Sequence, residues 1–300
     1  MTIQQTVDTA IPSSQCPTPR PVRIDAAGLT DVGRVRARNE DAYLIATLQR
    51  SMVVHDASPI SARGWVPGEA AGTLLVVADG MGGQGNGELA SRVAVDTIVG
   101  YLLNVMPWAS TVPTSQVVGR DSAPSLLGVR EQLSAALVTG DSTVKAVGAQ
   151  AGNPRMGTTL TMALITWPLV YIAHVGDSRA YVARAGQLRR LTSDHTVAAQ
   201  IAERDPSLVE SDSTLHNMLW NSLGGSNEVA RPQLTKASLE AGDVILLCSD
   251  GLTKYVRDAE IAEVLALSQP LASRAAELVA RANNAGGSDN VTVVIASAEH

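Results

Sequence analysis

Five apolar runs in this 300-residue chain begin or end on an acidic residue. Asp79 follows "TLLVVA", Asp177 follows "VYIAHVG", and Asp250 follows "VILLCS". Asp289 precedes "NVTVV", and Asp41, with Glu40 before it, precedes "AYLIA". A single carboxylate at a strand end is ordinarily a turn residue or a helix N-cap. The recurrence points further, to strands that deliver their acids to one edge of a common core. Bare carboxylates a few ångströms apart repel, and some would have to hold protons. A divalent cation removes that conflict. Oxygen ligands without a His or Cys cluster select Mg²⁺ or Mn²⁺ over zinc.

The stretch "VVADGMGGQGNGELAS", residues 76–91, holds the first of these acids and five glycines. Gly80, Gly82 and Gly85 spell G-x-G-x-x-G, the pattern of a dinucleotide-binding turn. That reading wants an acid about 20 residues past the loop, at the end of the next strand. The chain there reads "NVMPWAST", without an acid. Asp79 at the loop mouth would also repel a pyrophosphate. Gly80 is better read as a place where a backbone carbonyl approaches a cation, unhindered by a Cβ.

The elements that must hold these acids follow from hydrophobic pattern. Strands are expected at 24–30, 42–48, 73–78, 158–166, 169–175, 178–184, 243–248 and 290–298. Helices are expected at 87–105, 125–148, 258–267 and 270–284. Residues 49–72 and 106–124 read as loops. Residues 194–229 read as a polar, mobile excursion without long periodicity. Strands that flank two long helices and then run consecutively favour an antiparallel α+β arrangement over a parallel sheet.

Composition narrows the function classes. The chain is 45% hydrophobic, contains no Phe, and carries a net charge of −6, so there is no chain-wide basic footprint for nucleic acid. Its two cysteines, Cys16 and Cys248, imply no disulfide framework, which fits a reducing, cytoplasmic location. Residues 1–22 lack the apolar core of a secretory signal and read as a disordered leader. Residues 156–176 contain no Lys, Arg, Asp or Glu and are long enough to span a bilayer. Trp167-Pro168 in their middle and many β-branched residues indicate two buried strands joined by a turn instead.

Seven segments resemble, in order, the metal-dependent Ser/Thr protein phosphatases of type 2C. They are "VGRVRARNEDAY", "VVADGMGG", "MGTTL", "AHVGDSRAY", "LTSDH", "LLCSDGL" and "SDNVTVV". The resemblance spans residues 24–298, and the "DGMGG" form is similar to the bacterial branch. It implies two sheets packed face to face, with helices on both outer faces and a two-metal centre at one edge. Residues 23–300 would form a single catalytic domain with a flap near 194–229. By motif, Asp79 would bridge both metals and the Gly80 carbonyl would bind one of them. Asp250 and Asp289 would hold the other. Glu40 and Asp41 would act mostly through metal-bound waters, and Asp177 would help Asp250 hold a third, weaker metal. Arg36 matches the family's phosphate-binding arginine, a planar fork suited to phosphate oxygens.

The implied reaction is in-line attack on phosphorus by a water bridging two cations. The implied partners are proteins phosphorylated on serine or threonine, including a Ser/Thr kinase. A dedicated phosphatase of a sigma-factor switch and a catalytically silent phosphoprotein-binding scaffold are the competing readings. The sequence departs from eukaryotic relatives after the "DG", where Met81 stands in place of a proposed general-acid His. His174 reads as a packed strand residue. Cys248 reads as core, because a cysteine phosphatase needs Arg six positions on and residue 254 is Lys. Arg179 is expected to pair with a nearby acid.

Overall fold

The computed structural model describes residues 23–54, 64–83, 86–104, 126–203, 213–225 and 228–299. The expected leader at 1–22 and the polar loop at 106–124 lie outside them.

The first sheet contains β1 (Arg23–Asp31), β7 (Arg179–Arg184), β8 (Gln187–Arg190), β11 (Val244–Cys248) and β12 (Val291–Glu299). Its spatial order is β1-β12-β11-β7-β8. The second contains β2 (Asp41–Val54), β3 (Gly64–Met81), β4 (Gly157–Thr158), β5 (Leu160–Thr166), β6 (Leu169–Val175), β9 (Leu223–Gly224) and β10 (Gln233–Ser238). Its order is β10-β6-β5-β3-β4-β9, with β2 on β3. The registered strand pairs are antiparallel.

The central strands of both sheets are buried on both faces, so they read as continuous apolar runs rather than alternating ones. Period-two geometry then divides each strand between two cores. On β3, Leu74, Val76 and Ala78 pack against Ala94 and Ile98 of α1 (Asn86–Asn104) and Leu133 and Leu137 of α2 (Leu126–Gln150). Leu75 and Val77 point the other way and meet Ile245, Leu247, Val294 and Ala296 of the first sheet. The outer face of that sheet, including Leu246, Cys248, Val293 and Ile295, lies beneath α5 (Asp258–Leu265) and α6 (Leu271–Asn284). Helix, sheet, sheet and helix therefore stack in four layers, the sandwich that the family resemblance implies.

Several expected boundaries are corrected. The 49–72 loop is largely ladder, since β2 runs on to Val54 and β3 begins at Gly64, with register shifts near Gln49. Residues 55–63 of that segment are outside the described set. Backbone pairing sustains the extension, whereas the apolar run that marks a core strand starts only at residue 73. The 194–229 excursion contains α3 (Val197–Ala202), a 3₁₀ turn (Ser213–Asn217) and β9, which pairs with β4. Thr196 starts α3 by accepting a hydrogen bond from the Ala199 N–H, a cap that needs no hydrophobic period. Residues 204–212 and 226–227 of that segment lie outside the description. The 156–176 run folds as β4, β5 and β6. Among the described residues no helix is long and apolar enough to cross a membrane.

Candidate active site

Strand register alone carries the acids to one edge. Asp41 and Asp79 are direct cross-strand partners where β2 leaves and β3 ends. In the other sheet Cys248 is paired on one side with Val293 and on the other with Arg179. Asp250, Asp289 and Asp177 each lie just beyond that row. They come together around a cavity of about 720 Å³, lined by Arg36, Glu40, Asp79, Asp177, Asp250 and Asp289 among others. Gly80 and Met81 also line it, whereas Asp41 is buried behind it.

Asp41 joins the sheets. Its Oδ2 accepts hydrogen bonds from Ser249 Oγ at 2.8 Å and Thr292 Oγ1 at 2.6 Å. Asp79 is fixed through its backbone, whose N–H donates to Thr159 Oγ1 at 3.0 Å and whose carbonyl accepts from the Thr159 N–H at 2.9 Å. The Thr159 hydroxyl also meets Ser178 Oγ at 2.8 Å, which ties the Asp79 strand end to the Asp177 turn. Asn290 holds the loop that carries Arg36 and Glu40. Its Nδ2 donates to the carbonyls of Val32 and Arg38 at 2.9 Å, and its Oδ1 accepts from the Glu40 N–H at 2.8 Å.

Gly80 has a second, steric reason to be glycine. A Cβ there would lie 2.0 Å from the Gly87 carbonyl oxygen and 2.6 Å from that of Glu40. The glycine thus permits the end of β3, the start of α1 and the residue before β2 to cross in contact. Close backbone packing is what the missing side chain provides.

The carboxylates burden one another. Burial pushes Asp79 well above the usual carboxylate range, and the charges of Asp41, Asp250, Asp177 and Asp289 add to it. Burial likewise raises Asp41 to about 7, against the two hydroxyl hydrogen bonds that favour its anion. Asp177 also rises to about 7, through burial and then the charges of Asp250 and Asp194. Burial opposes ionisation of Asp289 too, but Lys254 and Arg36 outweigh it and hold that carboxyl below its ordinary value.

Arg36 lies in the site on Asp289, with Nε 2.9 Å from Oδ1 and Nη2 3.0 Å from Oδ2. Lys254, which sequence reasoning considered only as a missing arginine, reaches both Asp250 and Asp289. Its spacing of four residues from Asp250 was the available signal. Arg179 pairs with Asp194 at 2.8 Å, as expected, and stays off the cavity lining. His174 is fully buried, donating Nε2–H to the Ser193 carbonyl at 3.0 Å. His195 is buried beneath the Asp177 turn, where its Nδ1 accepts the Gly176 N–H at 3.1 Å. Cys248 is a buried free thiol in the outer core.

The donor set fits hard divalent cations. It is all oxygen, and no hydrogen-bond donor among the described residues reaches the buried Asp41 Oδ1 or Asp250 Oδ1. Among the described residues no three acidic, His or Cys side chains already form a closed cage. Two cationic side chains stand among the acids instead.

With this geometry established, comparison with known proteins gives a consistent answer. The protein phosphatase 2C family model matches residues 60–292. Protein phosphatase PhpP of Streptococcus pneumoniae is 32% identical over 273 residues, covering 90% of this chain and 95% of that protein. The structure of the S. agalactiae serine/threonine phosphatase superposes with a TM-score of 0.71 at 27% identity, covering 92% of this chain and 100% of that one. The catalytic domain of serine/threonine protein phosphatase PstP, solved in complex with two manganese ions, gives 0.69 at 31% identity, covering 93% and 100%. These TM-scores show that the serine/threonine phosphatase structures share the fold of this chain. The chain belongs to the protein phosphatase 2C family.

Proposed function

We propose that the cavity at the sheet edge is the catalytic centre through which this chain acts on phosphorylated proteins. The chain is a metal-dependent protein-serine/threonine phosphatase, a hydrolase of phosphoric monoesters. The observation that carries the site assignment is the convergence of Asp79, Asp177, Asp250, Asp289 and Glu40 on one cavity that also contains Arg36. Asp79, the Gly80 carbonyl, Asp250 and Asp289 would hold two divalent cations, Mn²⁺ or Mg²⁺, with Asp41 and Glu40 supporting them. Asp177 with Asp250 would hold a weaker third. Bound there, the cations supply a water of lowered pKa as nucleophile and neutralise charge on the phosphate.

The protein's own groups do the rest. Asn290 and Ser249 fix the backbone and the buried Asp41 from which the acids are presented. Arg36 stands at the cavity with a planar fork that matches phosphate oxygens, so it orients the phosphoryl group and stabilises its equatorial charge. Met81 lines the cavity and has no proton to give. Asn217 and Leu219 bring the 194–229 segment to the rim. This supports its reading as a flap beside the substrate, on a catalytic domain of residues 23–300. Reversal of bacterial Ser/Thr kinase signalling in the cytoplasm is the setting that fits.

The test compares wild type with Asp79→Asn on phosphothreonine, phosphoserine and phosphotyrosine peptides. Wild type should release phosphate from the first two, and the variant should be nearly inactive. Near-native turnover by Asp79→Asn would remove Asp79 from the centre. Binding of phosphopeptide by wild type without release would favour the silent scaffold.

A further inference from the structure

We propose that Lys254 is a resident counter-cation of the active site, which a divalent cation must displace from Asp250 and Asp289 in order to bind. The inference rests on the reading of those two carboxylates as metal ligands. Lys254 Nζ lies 2.7 Å from Asp250 Oδ2 and 2.9 Å from Asp289 Oδ2. It therefore spans the two acids assigned to the same metal. The side chains of both acids are 18% exposed, so little solvent screens the contacts.

The position is built by the fold. Asp250 opens α4 (Asp250–Thr253), and the Lys254 N–H donates to the Asp250 carbonyl at 2.9 Å, which places the two side chains on one face. The next residue clamps the turn to the other acid. Tyr255 Oη accepts the Ser288 N–H at 3.2 Å, one residue before Asp289. Its ring leaves no room at Gly286, where a Cβ would sit 2.7 Å from a ring carbon. Backbone hydrogen bonding on one side and ring packing on the other hold Lys254 at the mouth of this carboxylate pair.

The ammonium and a metal ion compete because they want the same oxygens. An ammonium brings one charge and sits at hydrogen-bond distance. Mg²⁺ brings two charges and binds oxygen at roughly 2.1 Å. With Nζ in contact with both Oδ2 atoms, the wedge between them is filled. Arg36 on the outer side of Asp289 adds a second positive charge to the same carboxylate. Two consequences follow. The site binds its cation less tightly than its carboxylates alone would allow. The metal-free protein also keeps Asp250 and Asp289 together instead of letting them repel.

The experiment is a calorimetric Mn²⁺ titration of the full chain after EDTA treatment and removal of the chelator. It compares wild type with Lys254→Met, Lys254→Gln and Lys254→Arg, each also melted in EDTA. Loss of the charge should tighten Mn²⁺ binding about tenfold or more in the Met and Gln variants, the scale of one charge-assisted hydrogen bond. Lys254→Arg should stay near wild type. In EDTA the Met variant should melt below wild type, and the Gln variant, which keeps a hydrogen-bond donor, should fall between. Unchanged or weaker Mn²⁺ binding in both neutral variants would overturn the inference while leaving the metal centre intact. If wild type takes up no Mn²⁺, the metal-centre reading fails and this inference fails with it.

Discussion

Gly80→Ala is the substitution whose effect can be worked most directly from geometry. The new Cβ would lie 2.0 Å from the Gly87 carbonyl oxygen, 2.4 Å from its carbon and 2.6 Å from the Glu40 carbonyl oxygen. Cβ contacts do not fall below 3.0 Å, so one partner must retreat by about 1 Å, the difference between 3.0 and 2.0. Neither can do so by rotating a side chain, because every atom struck is backbone. Moving α1 would drag Ala90, Ala94, Ile98 and Leu102, all fully buried. Overpacking ordinarily costs about 1–3 kcal/mol, and a clash between two backbones belongs at the upper end. For a domain of this size, about 3 kcal/mol lowers Tm by roughly 6–12 °C. The same shift displaces the Gly80 carbonyl and Asp79, and a misplacement of about 1 Å costs on the order of 100-fold in kcat/KM. The assay is thermal unfolding by circular dichroism in EDTA, followed by phosphopeptide turnover with Mn²⁺. Gly100→Ala is the control. It lies within α1 with open space around its added Cβ and should gain roughly 0.5–1 kcal/mol. If Gly80→Ala melts within about 1 °C of wild type and keeps its turnover, the crossing is not tight and the reasoning fails.

Arg36→Ala should lower kcat/KM on a phosphothreonine peptide by roughly 30- to 900-fold, the equivalent of about 2–4 kcal/mol for a charge-assisted phosphate contact. An unchanged value would show that Arg36 does not hold the phosphate. The buried His174 gives a pH prediction. Burial, then the neighbouring His195, lowers its pKa to about 3. The unfolded chain protonates this group near pH 6.5, so its contribution to stability is complete above about pH 6.5 and is lost as pH falls toward the folded value. The stability advantage of wild type over His174→Gln should therefore narrow by about 1.5 kcal/mol between roughly pH 6.5 and 5. A constant gap in urea unfolding across that range would contradict the assignment of a neutral, buried imidazole.

What the sequence made legible depended on burial. The runs "TLLVVA", "VILLC" and "VTVVIASA" are strands buried on both faces, and their apolar character alone marked them. Acids at their ends could be found by the same reading, because a carboxylate after such a run has left the core. Edge elements gave no such signal. β10, "QLTKAS", and β8, "QLRR", are largely half-exposed and polar, so no hydrophobic period announced them. The outer part of the β2–β3 ladder was missed because the apolar run stops at residue 73. The tight crossing at Gly80 could not be read from the sequence, since its close neighbour Gly87 is seven residues away and the Glu40 backbone belongs to another segment. Asn290 and Lys254 were inside quoted or weighed segments. Asn290 bonds Glu40 from 250 residues away, and Lys254 reaches Asp289 across 35, distances that a linear reading cannot bridge; only the four-residue spacing of Lys254 from Asp250 was there to be read.

The central claim is that hydrolysis runs through divalent cations held by these carboxylates. The most direct measurement is phosphate release from a phosphothreonine peptide by wild-type protein in EDTA, followed by readdition of Mn²⁺ after the chelator is removed. The account requires release to vanish in EDTA and return with Mn²⁺, with Asp79→Asn failing to recover at the same metal concentration. Undiminished release in EDTA, or full recovery by Asp79→Asn, would contradict it.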